Sequence, residues 1–269
     1  MKTGELKRIA CVIPAYNEAR TIAETAARAH RYCGWVIVVD DGSVDGTADR
    51  LAGLPVTLLH NPATAGKAES ILRGARFAIE AGAESIITID GDGQHHPEEI
   101  PRLISAAKRS PGRIVLAARL VGRSTAPALR RFANRFADFW ISWAAGYPVG
   151  DTQSGFRLYP AELFTYARPY YGLRDSFVFE SEILIDAAQR GCYTVSLTVE
   201  AVYSPNGRAS HYRPIADTLQ ITRMVAWKLF KRGLNPIGLL RSLKLVPHPA
   251  MRKSKPIPLK ADDHGQGKT

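Results

Sequence analysis

The chain has 269 residues, 45% of them hydrophobic and 23% charged, which is ordinary for a soluble globular protein and enough to bury a sizeable core in one large α/β domain or two small ones. Its three cysteines, Cys11, Cys33 and Cys192, are too few and too scattered for a disulfide framework or a zinc site, so a reducing, cytoplasmic setting fits best. The net charge of +11 is concentrated, because residues 202–260 carry 12 of the 36 Lys/Arg and a single acid, Asp217; an anionic partner, nucleic acid or membrane, would meet that segment and not the whole surface.

The N-terminal MKTGELKRIACVIP has no apolar run ahead of a small-residue cleavage site, and no stretch approaches the roughly 18 apolar residues of a membrane span, so neither a signal peptide nor a spanning helix is expected. Ile9–Ile13 reads as a strand ended by Pro14, and Thr21-Ile-Ala-Glu24 as a capping box that opens an Ala-rich helix. Strand two is Trp35–Val39, a short helix follows near Gly46–Leu51, and strand three is Val56–His60. A helix over Lys67–Ala81, strand four at Ser85–Asp90, a helix over Pro97–Arg109 with proline in its first turn, and strand five at Arg113–Ala118 complete a βα alternation. That alternation predicts a mostly parallel sheet with helices on both faces.

Beyond it, Pro127–Ala145 reads as a helix with Phe132, Phe136, Phe139, Trp140 and Trp143 near one face, a stripe more often core than lipid contact. Gly146–Gly155 is a loop, Phe156–Tyr159 a short strand, Phe179–Gln189 a helix and Tyr193–Val199 a strand. Asn206–His211 is a polar loop, and Pro214–Lys231 and Ile237–Val246 are basic amphipathic helices. From about Pro247 the chain is rich in Pro, Lys and Gly, the composition of a disordered tail. The division expected is a catalytic domain over 1–213, the basic helices over 214–246 and the tail over 247–269.

The polar motifs fall where strands end. Pro14-Ala-Tyr-Asn-Glu18, Asp40-Asp-Gly-Ser-Val-Asp-Gly46, Asn61–Lys67 and Asp90-Gly-Asp-Gly-Gln94 follow strands one to four, and in an open parallel sheet all of these sit at the carboxyl edge, where such folds bind ligands. Asp90 and Asp92, with Gln94 beyond and glycines between, offer closely spaced carboxylates and a neutral amide oxygen, which suits Mg²⁺ or Mn²⁺ bridging to a diphosphate. Capping the helix near Pro97 would need one such side chain at most. Asp40 or Asp41 could accept hydrogen bonds from a base or ribose, and a plain Asp-Gly turn is the alternative. Gly66-Lys67 fails the phosphate-loop pattern, since Asn61 stands where it needs glycine and no Ser/Thr follows, so Lys67 is as well read as a solvated first-turn lysine as a phosphate contact. No GxGxxG follows strand one, which argues against a dinucleotide oxidoreductase.

Taken in order, Ile13-Pro-Ala-Tyr-Asn-Glu18, Val39-Asp-Asp-Gly-Ser-Val-Asp-Gly-Thr47, Ile89-Asp-Gly-Asp-Gly-Gln94 and Asp151-Thr-Gln-Ser-Gly-Phe-Arg157 resemble family 2 glycosyltransferases, nearest the dolichyl- or polyprenyl-phosphate mannose synthase group, over roughly residues 9–215. The resemblance implies a GT-A (Rossmann-like) α/β fold, an inverting mechanism, a UDP- or GDP-sugar donor and a divalent cation. It implies that Pro14, Tyr16, Glu18 and Asp41 frame the donor's base and ribose, that Asp90 sits beside metal and donor, and that Asp92 and Gln94 contact the metal. It also implies that Arg119, with Arg131, meets a phosphate, that Arg131, Ser154 and Arg157 lie on the acceptor side, and that Arg208 belongs to a loop closing over the donor diphosphate. There the group's pattern is Arg-x-x-Ser-Lys, whereas this chain reads Arg208-Ala-Ser210-His211, which puts the basic contact at His211 in doubt.

A hydroxyl acceptor needs a general base, for which Asp151, Glu180 and Glu182 are candidates, and a phosphate acceptor needs none. Glu180 and Glu182 stand two apart on a helix and so do not share a face; helix surface is their plain reading, with Glu182 solvated or paired with Arg190. The basic helices suit a peripheral position on an anionic membrane at its cytoplasmic face, where a lipid-linked acceptor is reached, although the first of them would also pack on the core. A nucleic-acid module is the rival reading of the basic segment, but no base-reading motif supports it, and acids at the sheet edge would repel phosphate without a metal. A non-catalytic relative is the other rival, against which the intact Asp90, Asp92 and Gln94 stand.

Overall fold

The computed structural model describes residues 8–121, 128–167, 176–200 and 214–248. Seven strands form one sheet in the order β3-β2-β1-β4-β6-β5-β7: β1 is Ile9–Ala15, β2 Val36–Asp40, β3 Thr57–His60, β4 Ser85–Thr88, β5 Ile114–Val121, β6 Arg157–Pro160 and β7 Thr194–Glu200. All neighbours pair parallel except β6, which runs antiparallel between β4 and β5. The α-helices are α1 Ile22–Tyr32, α2 Lys67–Glu80, α3 Ile100–Arg109, α4 Ala128–Ala145, α5 Leu163–Tyr166, α6 Ser176–Gln189, α7 Pro214–Lys231 and α8 Pro236–Ser242, with short 3-10 turns at Asp49–Leu51 and Pro97–Glu99.

The central strands read as continuous apolar runs because both faces of the sheet are covered. Along β1, Ala10 and Val12 join a core with Ile71, Leu72 and Ala75 of α2, while Cys11, Ile13 and Ala15 join a second core with Ile22, Ala26 and Ala29 of α1. The same alternation runs through β2, β4 and β5, as the two-residue strand period requires. Helices α2, α4, α6 and α7 cover the first face, and α1 and α3 the second.

Two local expectations are revised. Thr21 stands at the N-cap of α1 but makes no capping bond; its hydroxyl instead donates to the Gly91 carbonyl at 2.7 Å, so the capping box is given up to tie α1 to the loop after β4. The aromatic stripe on α4 is core only in part: Ala137, Ile141, Ala144 and Ala145 are buried, Trp140 and Trp143 pack half-buried against that core, Phe136 is exposed, and the side chain of Phe132 lies outside the described residues. Of the basic helices, α7 puts Ile221, Met224, Val225 and Leu229 into the first core. Among the described residues no helix is long and apolar enough to cross a membrane.

Candidate active site

From β1 the chain moves outward to β2 and β3, then returns to place β4 on the other side of β1, so the loops after β1 and β4 flank the point where strand order reverses. The ladder between β1 and β4 ends at Val12 and Thr88, whereas β1 stays paired with β2 as far as Ala15 and Asp40. Pro14 falls in that gap. Cys11 donates towards β2 and Val12 accepts from Ile89 on the β4 side, so by alternation the nitrogen of Pro14 faces β4 just beyond the ladder, where no donor is needed. Pro14 itself is buried in the strand and shapes the crevice from beneath, while Tyr16 stands exposed at its rim.

The loops after β1 and β2 are laced together. The Asn17 N–H donates to the Ser43 hydroxyl at 2.9 Å, the Glu18 N–H to Thr47 at 2.8 Å and the Ala19 N–H to Asp45 at 3.1 Å, and Asn17 accepts in turn from the Val44 N–H at 2.9 Å. Asn17 holds a left-handed φ of 55° to do so. Asp40 is buried against His60, 2.8 Å away.

Asp41 is buried with both carboxylate oxygens engaged by the protein. One oxygen accepts from Asn61 at 2.7 Å and the Ala65 N–H at 2.9 Å, the other from Thr64 at 2.9 Å and the Gly66 N–H at 2.8 Å. Burial alone would raise this carboxyl, but those four donors outweigh it and hold it below the ordinary carboxylate value. Asp41 therefore anchors the 61–66 loop, and the loop in turn fixes Lys67 as the first residue of α2.

Lys67 is neither solvated nor pointed at open space. Its ammonium lies 2.6 Å from Asp90 Oδ1 and 3.1 Å from Glu180 Oε1, joining the loop after β4 to α6. Burial would lower the lysine, yet the two carboxylates raise it well above its usual value. The Asp90 carboxyl, which burial would raise, is held far below the ordinary range by Lys67 and His95. Asp92 shifts the other way, raised by burial and then by the charge of Asp90, while its carboxylate accepts from the Gln94 N–H at 2.9 Å. His95, which sequence reasoning passed over, is buried against the Phe156 ring with Nε2 3.6 Å from Asp90; the signal for it was its place directly after Gln94.

Three carboxylates, Asp90, Asp92 and Glu180, thus face one ammonium, a surplus of negative charge that repels a diphosphate until a cation offsets it. Among the described residues no three His, Cys, Asp or Glu side chains converge into a complete metal cage. Two carboxylates and the Gln94 amide do suit an ion that takes its remaining oxygens from water and a substrate phosphate, which is how Mg²⁺ is usually held. The close approach of Gly155 is consistent with a tightly built pocket, since a Cβ there would lie 2.5 Å from Asp90 Oδ2. Gly155→Ala should push Asp90 off Lys67 at a cost of about 1–3 kcal/mol, seen as a fall of several degrees in a thermal melt; an unchanged melt would mean that Asp90 has slack.

The segment Asp151–Arg157 lies beneath the site rather than on an acceptor surface. Arg157 is 0% exposed, and its guanidinium donates to the carbonyls of Ser154 (2.6 Å), Thr152 (2.8 Å) and Glu180 (2.6 Å) and to the Tyr159 hydroxyl (3.1 Å). Ser154 is equally buried and donates to the Ala117 carbonyl at 2.8 Å. Both are framework, because an arginine in the apolar interior must give its donors to protein acceptors. Asp151, with a left-handed φ of 48°, is buried beside this arginine, whose charge it helps stabilise. The glutamates are not helix surface: Glu180 meets Lys67, and Glu182 pairs with Lys228 of α7 at 3.0 Å and not with Arg190, which stacks on Tyr166. Glu180 and Glu182 do take different partners, as their spacing requires. The side chains of Arg119 and Arg131, and the whole of Arg208 and His211, lie outside the described residues.

A family model described as Glycosyl transferase family 2 matches residues 10–166. An uncharacterized protein of Methanocaldococcus jannaschii is 29% identical over 232 residues, covering 81% of this chain and 98% of its own. The polyprenol monophosphomannose synthase of Mycolicibacterium smegmatis is 31% identical over 168 residues, covering 58% of this chain and 63% of its own. Among solved structures, glucosyl-3-phosphoglycerate synthase from Mycobacterium tuberculosis, crystallised with Mn²⁺, UDP and glucosyl-3-phosphoglycerate, aligns with a TM-score of 0.55 at 24% identity, over 86% of this chain and 84% of that one, a likeness of fold.

Proposed function

Because the chain belongs to glycosyl transferase family 2, we propose that it transfers a hexosyl group, with inversion, from a UDP- or GDP-sugar to a lipid-linked acceptor, a polyprenyl phosphate in particular. The donor's diphosphate would lie at the crevice between the loops after β1 and β4, with Tyr16 and Glu18 towards the nucleoside and Asp41 acting only through the 61–66 loop. Asp90, Asp92 and the Gln94 amide would hold Mg²⁺ or Mn²⁺, which supplies charge neutralisation to the departing nucleoside diphosphate. Lys67 keeps Asp90 and Glu180 in place at the crevice floor.

In the transfer, an acceptor oxygen bonds to the anomeric carbon as the bond from that carbon to the diphosphate breaks, its electron pair leaving with the diphosphate. The acceptor class follows from the state of the two best base candidates. Glu180 is buried and ion-paired with Lys67, and Asp151 is buried beside Arg157, so both carboxylates are already engaged within the protein and neither is placed to reach an acceptor hydroxyl. An acceptor that arrives as an anion requires no base, and that pairing is the observation that favours phosphate over hydroxyl. The monophosphomannose in the mycobacterial relative's name agrees with it. The test is nucleotide release from a panel of UDP- and GDP-sugars with Mn²⁺, offering polyprenyl phosphate or the matching polyprenol. One donor should turn over with the phosphate alone; equal turnover with the alcohol would overturn the phosphate reading and return Asp151 and Glu180 to the role of base.

A further inference from the structure

Fourteen large apolar side chains are exposed among the described residues, and nine of them fall between Leu219 and Val246, in α7, α8 and the turns that follow them. Helix α7 is apolar on two sides. Its inner stripe, Ile221, Met224, Val225 and Leu229, fills the core, while Leu219, Ala226, Trp227 and Phe230 form an outer stripe at the same helical spacing, with Phe230 74% exposed. A helix apolar on both sides is built to be covered on both. Ile237, Leu240 and Leu243 extend the exposed surface along α8, and Trp140 and Trp143 of α4, stacked at 5.1 Å, join Trp227, Phe230 and Leu234 around an apolar groove of about 610 Å³.

From residue 219 to 248 every charged side chain is basic: Arg223, Lys228, Lys231, Arg232, Arg241 and Lys244. Lys228 turns inward to Glu182 and Asp186, and Arg232 donates to the Ala144 carbonyl, while Lys231 and Lys244 are exposed, with the Lys231 ammonium 4.9 Å from the Trp227 ring centre. A neutral protein partner does not call for apolar area and exposed positive charge together along α7 and α8. A bilayer of anionic lipids does, since the acyl boundary takes Trp, Phe and Leu while the headgroups take Lys and Arg.

We infer that the outer face of α7 and α8, with the tryptophans of α4, docks the chain on an anionic membrane surface. This deepens the lipid-acceptor reading by naming the face turned to the bilayer, and it is tested without donor or acceptor so that each can fail alone. The full chain is mixed with vesicles of phosphatidylcholine, or of phosphatidylcholine containing about a third phosphatidylglycerol, and binding is read by co-sedimentation and tryptophan emission. Binding with a blue shift is expected on the anionic vesicles and should weaken with salt. Phe230→Ser with Leu243→Ser should lower partitioning on the order of a hundredfold, and Lys231→Glu with Lys244→Glu by at least about fivefold per charge, with far-UV circular dichroism and melting unchanged. Wild-type chain left in the supernatant of anionic vesicles would overturn the inference. So would vesicle binding untouched by the paired serine variants, which would assign it to the basic residues beyond 248, or a wild-type dimer in light scattering that the serine variants make monomeric, which would make this face a contact between copies.

Discussion

Asp92→Asn should leave the fold intact and reduce nucleotide-sugar turnover by about a thousandfold. The substitution keeps the shape of the side chain and an oxygen to accept the Gln94 N–H, now 2.9 Å away, so the loop after β4 retains its turn. What is lost is one of the two carboxylates that would hold the cation. A cation at a departing diphosphate is worth several kcal/mol in the transition state, and each 1.4 kcal/mol is a factor of ten in rate. The sign on stability is the opposite one. The Asp92 carboxyl is raised by burial and then by the charge of Asp90, so neutralising it removes a repulsion, and the melting temperature should hold or rise. Turnover in Mn²⁺ and a thermal melt of the same preparation check both halves; a variant that keeps more than a tenth of wild-type turnover would remove Asp92 from the cation site.

Arg157→Met should have the largest effect on stability, about 3–5 kcal/mol. Methionine fills much of the same volume but strands the carbonyls of Thr152, Ser154 and Glu180, each now served by the guanidinium at 2.6–2.8 Å. An unpaired buried acceptor costs about 1–3 kcal/mol, and for a domain of this size the sum amounts to roughly 6–20 °C in melting temperature. Arg157→Lys should not rescue it, because a single ammonium cannot reach the three separate directions the planar fork serves. Since two of those carbonyls belong to the 151–155 loop and one to α6, the damage should spread to Glu180 and through it to Lys67. A melt within two degrees of wild type would show that the loop holds itself.

Much of this architecture was legible from pattern alone, and the failures have physical causes. Val36–Asp40 announced itself as a short continuous apolar run ahead of turn residues, and Lys67–Glu80 by apolar spacing at the helical period. The antiparallel sense of β6 did not, since four residues carry no mark of direction; it follows from the return of the chain out of α4, and it is what brings Gly155 against Asp90. The four-residue helix at Leu163 is too short for any period to show. At the candidate site, Asp90, Asp92 and Lys67 gather at one sheet edge, as the placement of the motifs after the strands implied. Within the motifs, however, a polar residue reads the same whether it faces a ligand or a backbone carbonyl. Arg157, Ser154 and Asp41 were all expected at ligands, and all are buried with hydrogen bonds inside the protein, which local sequence does not show. The partner of Glu182, Lys228, lies 46 residues away and could not be reached from local spacing.

The central claim is that the carboxylates at the end of β4 bind a nucleoside diphosphate through a divalent cation. The measurement that bears on it most directly is calorimetric titration of UDP and of GDP into the full chain, in Mn²⁺ and in EDTA, for wild type and Asp92→Asn. One nucleotide should bind wild type in Mn²⁺, lose that binding in EDTA, and bind the variant at least tenfold more weakly. Equal affinity in EDTA, or no binding of either nucleotide under any condition, would contradict the account at its base.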